Sequence, residues 1–154
     1  MIRQFKPIVV LIIFANYCVA QLQVKNYFSF SGKKDLPVNA ICHDLTGFLW
    51  LATDDGVYKF DGKNSNLLLP NQSSLRTKIT SISYDDQETL WIGTNKGQVY
   101  FLHKNKLDSI ILKSNDSKIT SFCRLKSKLF IATYGNGLFE YDNNKLKQTL
   151  INFQ

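Results

Sequence analysis

The sequence predicts an all-β fold of β-propeller blades, three four-stranded repeats of about 40 residues each. Three observations carry this. The stretch Leu90-Trp91-Ile92-Gly93-Thr94 is echoed upstream by Leu49-Trp50-Leu51-Ala52-Thr53 and downstream by Leu129-Phe130-Ile131-Ala132-Thr133, so that Thr53, Thr94 and Thr133 recur at intervals of 41 and 39 residues. Around these stretches apolar side chains alternate with polar or small ones, the period of a strand, and no helical stripe of useful length follows residue 20. Eleven Phe, seven Tyr and two Trp in 154 residues add the aromatic enrichment that favours strands over helices.

The first twenty residues stand apart. Arg3 and Lys6 precede an apolar run from Ile8 to Phe14, and the smaller, more polar Ala15 to Ala20 follow. This is the layout of a secretory signal peptide, residues 1–20, with cleavage expected after Ala20. The apolar run is shorter than the roughly 20 residues of a membrane span, so no membrane insertion is expected of residues 21–154 after cleavage, and the location is periplasmic or extracellular. Gln21 to Ser31, with Val24, Tyr27, Phe28 and Phe30, reads as a leading aromatic strand.

Each unit then follows one plan. An inner strand comes first (Val38 to His43, Ile79 to Tyr84, Ile119 to Leu125), with Asn39-Ala40-Ile41, Thr80-Ser81-Ile82 and Thr120-Ser121-Phe122 in register. A polar turn follows, Asp44 to Gly47, Asp85 to Glu88 and Lys126 to Lys128. The Trp/Phe strand is next, and a glycine reverses the chain at Gly56, Gly97 and Gly137, where a tight turn needs positive φ. The third strand ends in Asp61-Gly62, Lys104-Asn105 or Asn143-Asn144, residues that tolerate left-handed geometry. A short fourth strand closes each unit (Asn66 to Leu69, Leu107 to Leu112, Leu146 to Ile151).

The blades so read occupy about 36–75, 76–115 and 116–154, within one partial propeller at 21–154. A closed ring takes about 4 to 8 blades. The expectation is therefore an incomplete propeller, whose open faces and strand edges join remaining blades or another chain.

Charge and cysteine content exclude several functions. The formal charge of +7 falls by two when Arg3 and Lys6 leave with the signal peptide, and the lysines are scattered over turns and polar strand faces. Nucleic-acid binding would concentrate them on one element, so no nucleic acid partner is expected through this segment. Cys42 and Cys123 occupy matching places two blades apart, beyond the roughly 7 Å Cα reach of a disulfide, and are expected to be small, buried and unlinked. His43 and His103 stand alone without a second ligand at metal spacing, so no metal site and no cofactor are expected. A sialidase-type clamp uses three arginines on a carboxylate, but residues 21–154 hold only Arg76 and Arg124. Asp44, Asp85 and Asp86 recur as turn residues rather than as paired acids of a cleft. No catalytic residue is assigned.

The pattern of an apolar inner strand, an Asp-containing turn, Leu90-Trp91-Ile92-Gly93-Thr94 and Gly97 resembles the two-component regulator propeller repeat, which builds the periplasmic sensor portion of hybrid two-component regulators in Bacteroidetes-type bacteria. The first unit departs from it at Leu51-Ala52; the third has Phe130 for the tryptophan and lacks the acidic turn. The resemblance, spanning residues 36 to about 151, implies a ligand-sensing segment for signal transduction, with an oligosaccharide or other nutrient-related small molecule as partner. Kinase or DNA-binding output would lie outside these residues. The alternative is a structural or protein-interaction propeller with no small ligand.

In a four-stranded blade the turn between the second and third strands shares a rim with the connection to the next blade. On that rim the expected ligand-binding residues are Asp54, Asp55, Asn95, Lys96, Tyr134 and Asn136, offering carboxylates, amides, an ammonium and an aromatic face to a hydroxyl-rich ligand.

Overall fold

The computed structural model describes residues 29–30, 33–34, 36–112 and 117–149; the expected signal peptide lies outside them. Strands β1 (Ser29–Phe30) and β2 (Lys33–Lys34) pair only with each other, so the described part of the leading segment joins no blade. Three four-stranded antiparallel sheets follow in sequence order, and among the described residues the only helical element is a single 3-10 turn at Ser73–Leu75. The first sheet is β3 (Val38–His43), β4 (Leu49–Thr53), β5 (Gly56–Phe60) and β6 (Ser65–Leu67). The second is β7 (Ile79–Tyr84), β8 (Thr89–Thr94), β9 (Gln98–His103) and β10 (Lys106–Ile111). The third is β11 (Ile119–Leu125), β12 (Lys128–Thr133), β13 (Leu138–Asp142) and β14 (Lys145–Thr149).

The three inner strands coincide with the sequence expectation, whereas the fourth strands begin one residue earlier than expected and β6 and β10 end sooner. The turns show why the local chemistry was readable. Gly56, Gly97 and Gly137 take φ of 115°, 77° and 70°. Lys104-Asn105 and Asn143-Asn144 have positive φ at both positions, the geometry whose twist matches two antiparallel strands.

Each inner strand also carries an irregularity. The pairing slips between Val38 and Ala40, between Ile79 and Ser81, and between Ile119 and Ser121, leaving Asn39, Thr80 and Thr120 as the extra residues of three equivalent bulges. The freed side chains reach across blades: Asn39 Nδ2 donates to the Ile79 carbonyl at 2.8 Å, and Thr80 Oγ1 to the Ile119 carbonyl at 2.6 Å. Inner strands therefore lie against one another, β3 on β7 and β7 on β11.

Apolar burial between sheets supplies most of the cohesion, at about 25 cal/mol per Å² removed from water. Between the first and second blades the core is Trp50, Ala52 and Val57 against Leu75, Ile79, Ile82 and Ile92. Between the second and third it is Trp91, Val99 and Ile110 against Ile119, Leu129, Ile131 and Phe139. Ile82 is 7% exposed because it leans on the first blade, while Ile41, its counterpart one blade earlier, is 58% exposed.

The cysteine expectation needs one correction. Both thiols are free, but Cys123 is exposed and only Cys42 is half-buried. Strand alternation puts Cys123 opposite the residues that face the neighbouring blade, since its flanking Phe122 takes the inward place beside Trp91. Burial first, and the Asp44 carboxylate second, push the Cys42 thiol up to about 12.

Candidate functional site

Because successive strands are antiparallel, the β4–β5, β8–β9 and β12–β13 turns share one rim with the connections between blades. All six candidate residues lie on it, but their engagement differs. Asp54 is tied down on two sides, accepting from Asn39 Nδ2 at 2.8 Å and from Lys78 Nζ, which lies 2.9 Å from Oδ1 and 3.0 Å from Oδ2. Asn39 and then Lys78 hold its carboxyl below the usual range, against a smaller opposing desolvation. Asp55 accepts a long hydrogen bond from Tyr58 and lies 3.5 Å from Arg76. These acids therefore fasten the first blade to the connection leading into the second.

Asn95 and Tyr134 stand where Asp54 stands, each directly after the threonine of its unit. Their backbone N–H groups extend the inner ladder, donating to the carbonyls of Lys78 at 3.1 Å and Lys118 at 2.8 Å. Asn95 Oδ1 is buried without a hydrogen-bond partner. Tyr134 is 76% exposed, and Lys96 is exposed with its backbone N–H on Thr94 Oγ1. Asn136 donates to Ser117 Oγ and accepts from Gln148 Nε2 through its carbonyl. Beside it Gly97 is a tight spot for a side chain, since a Cβ would lie 3.0 Å from the Ser117 carbonyl oxygen. The rim thus offers an ammonium and an aromatic ring to solvent, with the unpartnered Asn95 amide oxygen buried behind them, while Asp54, Asp55 and Asn136 serve as ties.

The opposite rim holds a feature that the sequence reading assigned only to turn geometry. Asp44 Oδ1 accepts from Thr46 N, Thr46 Oγ1 and Phe48 N at 2.7–3.0 Å, while Oδ2 accepts from the Trp50 indole N–H at 3.1 Å. Asp85 repeats this one blade later, with Oδ1 on Gln87 N and Thr89 N and Oδ2 on the Trp91 indole at 2.8 Å. Burial pushes the Asp44 carboxyl up, but the hydrogen bonds from Thr46, Phe48 and Trp50 outweigh it and leave the group below the usual carboxylate range. Its contribution to stability is thus present above the unfolded-state value and is lost as pH falls through the lowered one. The signal in the sequence was the fixed spacing from Asp44 to Trp50 and from Asp85 to Trp91, together with the loss of both partners in the third unit.

At the second blade junction Asp85 also receives Arg124 from the third blade, with Nη1 at 2.9 Å, while Nη2 donates to Gln87 Oε1 at 2.6 Å. The rings of Phe101, Tyr141 and Phe122 surround Trp91 at centroid distances of 5.0, 6.1 and 6.5 Å. At the first junction Tyr84 replaces Arg124, and Lys59 lies 3.7 Å from Asp44 with its ammonium over the Phe48 ring at 3.9 Å. A cleft of about 480 Å³ opens there, lined by Asp44, Trp50, Lys59, Tyr84, Glu88 and Leu102 among others. Among the described residues no group of three or more His, Cys, Asp or Glu could hold a metal ion.

A family model described as two component regulator propeller matches residues 74–96, the stretch that runs through β7, the Asp85 turn, β8 and the Asn95-Lys96 turn. No curated protein sequence matches the chain. Among solved structures it is similar to the extracellular domain of the hybrid two component system BT3049 from B. thetaiotaomicron, at a TM-score of 0.68 and 22% identity over 83% of this chain and 19% of that one. The extracellular domain of the one component system BT4673 from the same organism aligns at a TM-score of 0.62 and 16% identity, over 80% of this chain and 17% of that one. A catalytically inactive virginiamycin B lyase from Staphylococcus aureus, solved with quinupristin, aligns at 0.62 and 12% identity over 78% of this chain and 43% of that one. The likenesses establish the propeller fold, and the chain spans less than a fifth of either B. thetaiotaomicron domain. The chain is thus an all-β array of three propeller blades, within which residues 74–96 match the two component regulator propeller model.

Proposed function

We propose that this chain is the extracytoplasmic, ligand-sensing propeller segment of a two-component-type signal transduction protein, and that it recognises an oligosaccharide or other nutrient-related small ligand. The observation that supports this most is the repeat at residues 74–96 set among three consecutive blades. The similar domains of hybrid and one component systems are extracellular, in keeping with a signal peptide at residues 1–20 and export. We assign blades to about 36–75, 76–115 and 116–154, with remaining blades or another chain as partners, and no catalytic role.

The ligand would meet the rim that carries Asn95, Lys96 and Tyr134. An exposed ammonium and an exposed aromatic ring suit a hydroxyl-rich molecule. Replacing Lys96 and Tyr134 together by alanine spares the inter-blade ties. In the full-length protein the double variant should lose at least about tenfold in affinity, about 1.4 kcal/mol, for whichever of a panel of neutral and acidic oligosaccharides the parent binds in calorimetry, with unchanged circular dichroism. Unaltered affinity would move the site elsewhere. The second reading, an interaction propeller without a small ligand, draws on the ion pairing of Asp54 and Asp55; it predicts no heat from any oligosaccharide.

A further inference from the structure

The two blade junctions are built on one plan, and one of them is left with a space. Pairing partners fix the equivalences. Tyr84 and Arg124 are the inner-strand residues opposite Leu90 and Leu129. Lys59 and Phe101 lie opposite Trp50 and Trp91, and Leu102 and Tyr141 opposite Leu90 and Leu129. Two of these differences remove an aromatic ring from the first junction, and the third puts the Tyr84 ring where the second junction has a guanidinium. What remains is the cleft of about 480 Å³ with the Asp44 carboxylate and the Trp50 indole on its wall.

We infer that this cleft is a binding site for a guanidinium-bearing ligand, arginine or a derivative of it, whose planar cation takes on Asp44 the place that Arg124 takes on Asp85. The acceptor is set for it. Asp44 Oδ1 already has three donors, so capacity is left on Oδ2, which accepts one N–H from Trp50 at 3.1 Å. Lys59 does not fill that capacity, because its ammonium is 3.7 Å away and rests over aromatic rings. A guanidinium presents a rigid planar fork that an ammonium lacks, and at the second junction that fork spans a carboxylate and an amide oxygen.

The rest of the cleft suits the same ligand. Leu68 and Leu102 line a path for a methylene stem. Glu88 adds a second carboxylate, while Lys59 and Lys104 supply two cations. Free arginine carries a guanidinium at one end and an α-carboxylate beside an α-ammonium at the other, and the cleft holds carboxylates and ammonium groups to face charges of both signs. The site lies on the rim away from Lys96 and Tyr134, so it stands or falls separately from the sensing site proposed above.

The test is a titration of the full chain with L-arginine followed by proton–nitrogen spectra. The Trp50 indole signal and the amides of Thr46 and Phe48 should shift in a saturable way while the Trp91 indole does not. L-Citrulline, which keeps the shape and lacks the charge, should bind at least about tenfold more weakly, as expected for loss of a charge-assisted pair. A Tyr84→Arg variant, which supplies the guanidinium from the chain itself, should lose the response. If that variant does not fold, Leu102→Tyr fills the same volume and should also lose it. Absence of a shift with arginine, an equal response to citrulline, or a full response in the folded plugged variant would overturn the inference.

Discussion

The two blade junctions use the same strands, the same aspartate and the same tryptophan, yet they close differently. At the first, the charge beside Asp44 comes from Lys59 of the same blade, 37% exposed and 3.7 Å away. At the second, it comes across the junction from Arg124, 17% exposed and 2.9 Å from Asp85. The first junction is therefore held by apolar packing and by the Asn39 and Lys78 ties on the far rim, with a cleft at the near rim. The second is bolted at both rims and filled by rings. A repeat thus fixes the blade, while the junction is decided by three or four side chains that the repeat leaves free.

The sharpest way to break the comparison is to delete each aspartate. Asp85→Ala removes the acceptor for the Trp91 indole and the nearest carboxylate of a mostly buried guanidinium, so a loss of about 3–5 kcal/mol is expected. Asp44→Ala removes the same turn and indole bonds but leaves Lys59 free to move into water, so the loss should be about 1–3 kcal/mol. Urea unfolding of the two variants would measure both. Equal losses would mean that Arg124 adds nothing across the junction.

Next in size is the spacing of the blades. Ala52 faces the second blade, and Gly93 occupies the equivalent place facing the third. A Cβ on Gly93 would lie 2.5 Å from Ile119 Cγ2 and 2.6 Å from its Cβ, with Phe122 at 3.1 Å. Gly93 has no unusual φ, so the obstacle is contact alone. Gly93→Ala should cost about 1–3 kcal/mol by overpacking, read as a lowered midpoint in thermal unfolding. A neutral result would show that the third blade can back away.

These differences explain what was legible. The strand order, the glycine reversals and the paired positive-φ turns at Lys104-Asn105 and Asn143-Asn144 follow from neighbours in sequence, and all were read correctly. The bulges at Asn39, Thr80 and Thr120 were not, because the side chains of Asn39 and Thr80 answer carbonyls about forty residues away. For the same reason Asp54 and Asp55 looked available to a ligand: Lys78 and Arg76, which engage them, come from the following connection. Cys123 was misjudged because equivalence to Cys42 does not bring an equivalent neighbour. The Asp44–Trp50 and Asp85–Trp91 bonds could have been found from spacing, but only by reading the turn residue and the strand residue as one unit.

The smallest effect tests whether the two turns that carry these aspartates are backbone equivalents. Gly47 and Glu88 each close the turn by donating their N–H to the aspartate carbonyl, Asp44 or Asp85, at 3.2 Å. Both are left-handed, with φ of 89° and 58°. A glycine reaches that conformation freely, whereas a residue with a Cβ pays roughly 1–2 kcal/mol. Gly47 has nothing within 4 Å of a would-be Cβ, so Gly47→Ala should cost about 1 kcal/mol from backbone strain alone. Glu88→Gly should recover a similar or smaller amount, because relief of strain is partly offset by the freedom glycine gains in the unfolded chain. The two variants should therefore move the unfolding midpoint in opposite directions. If Glu88→Gly instead destabilises, the Glu88 side chain supports the second blade in a way that Gly47 cannot in the first, and the turns differ in more than their φ.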